Sequence, residues 1–228
     1  MAKITFSAIV GDARKKIGGN VFTKGRAGSF VRRKVSPVQP RSGSQRNVRA
    51  SFTALSKAWS GATMNDTKRA AWNALAANYP VKDKFGASHT LTGLQMFQKL
   101  NRVLATMGVA AITTPPATLD AEYPGALTVV ATVAGPNTLT VDFATDPTAA
   151  CNAMIYAAKQ QSPGRAFVGS GYRFLDNAPA PGPIDISPKY VALFGGLIAG
   201  KKVPVLVKYG NITTGAVGTP SAKLQVVS

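Results

Sequence analysis

Apolar residues recur along this chain with two different periods, and the change from one to the other divides it. Val48, Phe52, Leu55 and Trp59 fall at spacings of four, three and four, a single stripe on a helix that ends near Gly61. Trp72, Leu75 and Tyr79 mark a second helix. Leu94, Phe97, Leu100, Leu104 and Met107 mark a third, which stops at Gly108. Each helix is announced by a hydroxyl residue with Gln or Asp three positions on: Ser42 with Gln45, Thr63 with Asp66, Thr92 with Gln95. That is the spacing of a capping box, in which two side chains satisfy the amides that a first turn leaves without partners. Both tryptophans lie on these stripes and are read as core residues.

Beyond Ile112 the run TTPPATLD reads as a linker, and the period shortens. Strands are expected over Leu127–Val133, Thr138–Phe143, Asn152–Ala158, Phe167–Leu175, Tyr190–Phe194, Val203–Tyr209 and Lys223–Val227. Short strands separated by turn signals such as AGPN and TTGAVG predict an antiparallel sandwich. The closing stretch VPVLVKYGNITTGAVGTPSAKLQVV resembles the last hairpin of a fibronectin type III or related immunoglobulin-like domain. That resemblance concerns fold and implies no function.

Upstream of Ser42 neither period holds for long. Asn20–Thr23 and Ser29–Val35 alternate enough to predict two strands around the turn Lys24-Gly25-Arg26-Ala27-Gly28. The hairpin's main apolar residues are Val21, Phe22, Phe30 and Val31. An isolated two-stranded hairpin is marginal in water, so it has to lean on something else. Pro37 and Pro40 then hold the backbone extended before a helix can begin. The expected fold is α+β in three parts. Residues 1–41 form an extended basic N-terminal arm with a β-hairpin, 42–112 a three-helix module, and 113–228 an antiparallel β-sandwich of immunoglobulin or fibronectin III type.

Charge changes this picture most. The 228-residue chain carries a formal net charge of +18, concentrated at its start: residues 1–50 hold twelve Lys or Arg against Asp12 alone. A hydrophobic content of 45% is ordinary for a globular protein and argues against wholesale disorder. Cys151 is the only cysteine and His89 the only histidine, which excludes an intrachain disulfide and a Cys/His zinc cluster. The start, MAKITFSAIVGDARKK, lacks the apolar run of a secretory signal, and no apolar stretch is long enough to span a membrane. Synthesis and residence in a cytoplasm, or in something assembled there, is the expectation, with no membrane partner.

Catalytic chemistry is sought without success. Gly195-Gly196-Leu197-Ile198-Ala199-Gly200-Lys201 fits the first places of a phosphate-binding loop, but Lys202 stands where Ser or Thr binds magnesium. Pro204 and the apolar residues around it predict a strand where such a loop needs a helix. The close carboxylate pairs, Asp120 with Glu122 and Asp142 with Asp146, fall at a linker and a strand end. His89 is read as a surface residue and Cys151 as a small buried one. No enzyme activity and no cofactor are expected.

What remains is the basic ribbon. Lys24, Arg26, Arg32, Arg33, Lys34 and Arg41, with Arg14, Lys15, Lys16, Arg46 and Arg49 nearby, suit either phosphates or an acidic protein surface. A merely solvated tail would not need Val21, Phe22, Phe30 and Val31, so the ribbon is read as built to lie along a partner. Three segments in order carry a family resemblance: KIGGNVFTKGRAGSFVRRKVSPVQPRSGSQRNVRASFTALSKAW, MNDTKRAAWNALA and LTGLQMFQKLNRVL, the last with Phe97, Asn101 and Arg102 as F-x-x-x-N-R. Over about residues 15–115 the chain resembles a family of proteins encoded by tailed phages and prophage-like regions. Its joint reads Val38-Gln39-Pro40-Arg41 where the family more usually has Asn-Pro-Arg.

The resemblance implies a virion or phage-assembly setting and supplies no catalytic residues. The expected role is a virion structural protein, a capsid decoration, cement or minor head component. Its partners would be the major capsid protein or other virion proteins, bound through Val21, Phe22, Lys24, Arg26, Phe30, Val31, Arg32, Arg33, Lys34 and Arg41. A nucleic-acid-binding role for the arm, a head-to-tail connector or tail position, and assembly into a homo-oligomer all stay open at this point.

Overall fold

The helix-period stripes become helices in a computed structural model that describes residues 2–6, 10, 12–25, 28–36, 38–39, 41–83, 85–133, 135, 137–178 and 182–228. Helices and antiparallel sheets together make the chain α+β. It divides into two compact units, residues 1–96 and 97–228. The division falls inside the third helix and not at the expected joints after residues 41 and 112.

The N-terminal unit opens with strands β1 (Ala2–Lys3), β2 (Lys15–Ile17), β3 (Asn20–Gly25) and β4 (Gly28–Arg33), which form one antiparallel sheet in the order β1-β4-β3-β2. The expected hairpin is β3–β4, with both strands running closer to the turn, so that Gly25 pairs with Gly28. Two of the turn residues, Arg26 and Ala27, and the two prolines of the joint, Pro37 and Pro40, lie outside the described residues. Strands as short as Ala-Lys and Lys-Lys-Ile carry no alternation to read, which is why β1 and β2 are not foreseen.

Helix α1 (Gly43–Ser60) begins at Ser42, whose hydroxyl accepts from the Gln45 amide at 3.4 Å. Of its expected stripe only Leu55 is buried; Trp59 is half-buried, and Val48 and Phe52 are 43% and 42% exposed. The period is helical, but the face is not core along its length. For helix α2 (Asp66–Asn78) the structure corrects the expected cap from Thr63 to Asn65, whose carboxamide accepts from the Lys68 amide at 2.9 Å. Asn caps at least as well as Thr and sits nearer the apolar stripe; Asp66 then faces the positive end of the helix dipole. Helix α2 buries Trp72, Leu75 and Ala76.

Strands β5 (Val81–Lys82) and β6 (Ser88–His89) form a small hairpin after α2. His89, expected at the surface, is half-buried with Nδ1 shielded from solvent and without a hydrogen-bond partner among the described residues. At the start of helix α3 (Gly93–Thr106) the expected capping box is reciprocal. The Thr92 amide donates to Gln95 Oε1 at 2.8 Å and the Gln95 amide to Thr92 Oγ1 at 3.2 Å. Gly93 donates its amide to Asn73 Oδ1 at 2.8 Å, an approach so close that a Cβ at position 93 would stand 2.7 Å from the same oxygen.

In the C-terminal unit, strands β7 (Leu127–Thr132) and β8 (Thr138–Phe143) are a hairpin, joined at the far side of β8 by β11 (Ile184–Asp185). A second sheet runs β10 (Arg173–Ala178), β9 (Cys151–Ala157), β12 (Lys202–Asn211), β13 (Ser221–Val226). Alternate residues of both sheets fill one core: Val129 and Ala131 from β7, Leu139 and Val141 from β8, Val205 and Val207 from β12. Strand β9 is buried at nearly every position because it is covered on both sides; Met154 on its other face packs with Leu104 and Met107. The strand β10 has a bulge between Phe174 and Asp176. Along the opposite edge the last residue joins the two sheets: the Val133 amide donates to the Ser228 carbonyl at 2.9 Å and the Ser228 amide to the Ala131 carbonyl at 3.0 Å.

Two expected strands need correction. Tyr190–Phe194 belongs to helix α4 (Ser187–Phe194), which has Pro188 in its first turn, brings Tyr190 and Phe194 together at a ring separation of 5.0 Å, and ends at Gly195 with φ +85°. The strand expected over Phe167–Leu175 begins instead at Arg173, and Phe167 is 78% exposed. Asn101 of the F-x-x-x-N-R helix proves to be a structural residue. It is buried, donates to the carbonyls of Phe97 and Ile112 at 3.0 and 3.1 Å, and accepts from the Ile112 amide at 2.7 Å. One carboxamide thereby satisfies both backbone groups of Ile112, the residue before the linker.

Candidate functional site

The register of the N-terminal sheet sorts its residues onto two faces, since paired residues in antiparallel strands share a face and neighbours along a strand alternate. Lys15, Phe22 and Val31 form one cross-strand row, with Arg33 and Lys24 further along the same face. Lys16, Val21 and Arg32 form a row on the other face, which also carries Phe30 opposite Thr23. The sequence neighbours Val21 and Phe22, and likewise Phe30 and Val31, are thus divided between faces. All four are half-buried. Neither face is an apolar patch; each sets an aromatic ring and a valine among cations.

Arg32, Arg33, Lys34 and Arg41 are exposed, and among the described residues none of them is in an ion pair. Lys24 lies 4.0 Å from Asp12, which also accepts from Arg14 Nε at 2.8 Å. The Arg14 hydrogen bond chiefly holds the Asp12 carboxyl below its ordinary range, with desolvation opposing and the charges of Arg14 and Lys24 assisting. Arg26 lies outside the described residues. Arg41 has φ +50° and Lys15 φ +72°, left-handed backbone that L-residues avoid at a cost of about 1–2 kcal/mol each. Arg41 immediately precedes the Ser42 cap, so this bend turns the chain into α1.

Sequence reasoning missed Lys3. Its ammonium pairs with Asp83 and lies 5.6 Å from the centre of the Phe85 ring, fastening strand β1 to the loop between β5 and β6. No local signal foretells a pairing across 80 positions. The outer strands β1 and β2 are each paired on one side only in the sheet order, leaving backbone groups along their other sides for a further strand.

The remaining candidates for chemistry are dispersed. The phosphate-loop-like run starts at the C-terminal end of α4 and leads through Gly200 and Lys201 into strand β12, so no helix begins after it to turn its amino end toward a phosphate. Cys151 is buried, and burial pushes its thiol up from its ordinary value. Glu122 accepts from the hydroxyl and amide of Thr148 at 2.5 and 3.1 Å, the hydroxyl being the main reason its carboxyl sits below the usual range. Among the described residues no three His, Cys, Asp or Glu side chains are grouped to hold a metal ion, and no helix is long and apolar enough to cross a membrane. The arrangement can attract polyanions or carboxylate-rich surfaces and offer sheet edges to a neighbour. No family model matches this sequence, and neither a curated protein nor a solved structure is significantly similar to it.

Proposed function

We propose that the chain is a structural protein of a tailed-phage virion, a decoration or cement protein that docks on capsid subunits through its basic N-terminal sheet. One observation carries this reading: a sheet with two one-sided edge strands bears exposed Arg32, Arg33 and Lys34 and half-buried Val21, Phe22, Phe30 and Val31. Strand addition at such an edge gives backbone hydrogen bonds that survive salt, while the cations meet carboxylates at the rim. In the same reading residues 113–228 are an outward-facing fibronectin III-like sandwich. The order β7-β8-β11 against β10-β9-β12-β13 supports it, being the A-B-E and C′-C-F-G arrangement of that fold.

A second reading is favoured by the charge of residues 1–50, with twelve cations against one carboxylate: the sheet holds nucleic acid inside the head or on a host chromosome. The test is retention on phage particles with and without DNA. Capsid docking keeps the chain on DNA-free particles at 0.5 M salt, and Phe22→Ala with Phe30→Ala releases it more effectively than Lys15→Ala with Lys16→Ala. Phosphate binding through six to ten cations instead loses about three to five orders of magnitude in affinity between 50 and 200 mM salt. Retention on DNA-filled particles alone, with release at moderate salt, overturns the capsid reading and establishes its rival.

A further inference from the structure

The C-terminal unit carries a second concentration of positive charge. A groove of about 310 Å³ is lined on one side by Lys99, Arg102 and Val103 of α3, at positions that share a helix face, and on the other by Met154 and Tyr156 of β9 and Lys208 of β12. Lys208 pairs with Met154 in the β9–β12 register, so both project to the same side of the sheet. Met154 is buried and Val103 half-buried, giving an apolar floor; Lys99 is exposed at the rim. Among the described residues no carboxylate lines the groove.

Tyr156 stands half-buried among these cations. The Lys208 ammonium lies 5.6 Å from the centre of its ring, and Phe174 meets the ring at 5.5 Å and an angle of 69°. The ring is therefore engaged by both, which leaves it poorly placed to stack a nucleic-acid base. A compact pocket with three cations also lacks the long basic track that a phosphate backbone follows. Its volume is at the small end of the pocket range, roughly 300–1,000 Å³, and suits one side chain. Methionine at its floor adapts to the shape of that side chain.

We propose that this groove binds an acidic segment of a partner protein, in which one aliphatic or aromatic residue enters over Met154 and Val103 while flanking carboxylates meet Lys99, Arg102 and Lys208. The site shares no residue with the N-terminal sheet and gives Arg102 of the F-x-x-x-N-R helix a role at the surface, beside the internal one of Asn101.

The test uses the full chain at 0.15 M salt and a short fluorescein-labelled peptide with one leucine flanked on each side by two glutamates. Fluorescence anisotropy should show binding that falls about tenfold or more in Lys99→Glu with Lys208→Glu, as expected when charge pairs at an interface are reversed. Lys15→Ala with Lys16→Ala should bind the peptide as before, which separates this site from the sheet proposed to dock on capsids. The same peptide with glutamines should bind at least about tenfold more weakly. A benzophenone in place of the leucine should attach to the segment containing Met154, with unchanged amide exchange in β12 showing that the charge-reversed variant is folded. Equal binding by that variant, attachment only within residues 1–50, or tighter binding of a labelled oligothymidylate than of the glutamate peptide would each overturn the proposal.

Discussion

Gly215→Ala tests how the turn after β12 fits against α3. Gly215 has φ +72°, and its amide donates to the Asn211 carbonyl at 2.9 Å. A Cβ built there would stand 2.5 Å from the Leu100 carbonyl oxygen and 2.9 Å from its carbon, which are backbone atoms that cannot rotate away. Nor can the turn easily yield, because Asn211 Oδ1 accepts from the amides of Thr213 and Thr214 at 2.9 and 3.0 Å. Gly200 is the control: φ is +77°, but nothing lies within 4 Å of a Cβ placed on it. Gly200→Ala therefore meets only the left-handed penalty of about 1–2 kcal/mol. Gly215→Ala adds overpacking of about 1–3 kcal/mol. A difference near 2 kcal/mol corresponds to about 30-fold faster exchange of β12 amides that open with the whole unit. In calorimetry it is a further fall of about 8 °C in the midpoint of the C-terminal unit. Equal effects of the two substitutions on exchange and midpoint would refute the close packing of the turn on Leu100.

Other substitutions probe single hydrogen bonds. Thr92→Ala removes half of a reciprocal cap and should cost about 0.5–2 kcal/mol in chemical denaturation; an unchanged midpoint would count against the assigned start of α3. Asn101→Ala takes this partner from the half-buried amide and carbonyl of Ile112, at about 0.5–1.5 kcal/mol for each hydrogen bond lost, and should sharply raise exchange at residue 112. Ser187→Ala deprives the Leu139 amide of a buried acceptor at 2.6 Å and should cost about 1–3 kcal/mol, read from the thermal midpoint. The Asp185 carboxyl is held below its ordinary range first by the Ser187 hydroxyl and then by the Ser187 amide, and Glu122 chiefly by Thr148. Carboxyls depressed by folding add stability that is present above about pH 4 and lost as pH falls through their folded values. Acid titrations of Asp185→Asn and Glu122→Gln should accordingly show a shallower decline below about pH 4 than the parent chain.

The legible parts of this fold are those fixed by local chemistry. The Thr92/Gln95 spacing locates a helix start because both partners of the cap lie within one turn, and the alternation of Thr138–Phe143 is enough to bound β8 without error. Tyr190–Phe194 misleads because three β-prone residues in five, Tyr190, Val191 and Phe194, outweigh the Pro188 start signal when read apart from it. Long-range pairings leave no such trace: β11 is two residues long and exists through Val141, and Lys3 meets Asp83 only once the chain has folded. The candidate site is legible in composition more than in geometry. Val21, Phe22, Phe30 and Val31 stand out as apolar among cations, and their division between two faces follows from strand alternation alone, whereas which cations share a row with them depends on the register of β2, β3 and β4. The groove at Lys208 was invisible for the same reason, since its cations come from segments far apart in sequence.

The seam at Ser228 bears on the order in which the C-terminal unit assembles. Residue 228 is synthesised after every strand it joins, and its bonds to Ala131 close a loop of 97 positions. Local hairpins such as β7–β8 can form while translation continues, but a contact of that span waits on loop closure and on the synthesis of residue 228. Until then β7 presents an open edge, the kind of surface through which nascent β-proteins associate. The seam thus acts as a late latch, and the interval before it closes is when this unit is most exposed to misassembly.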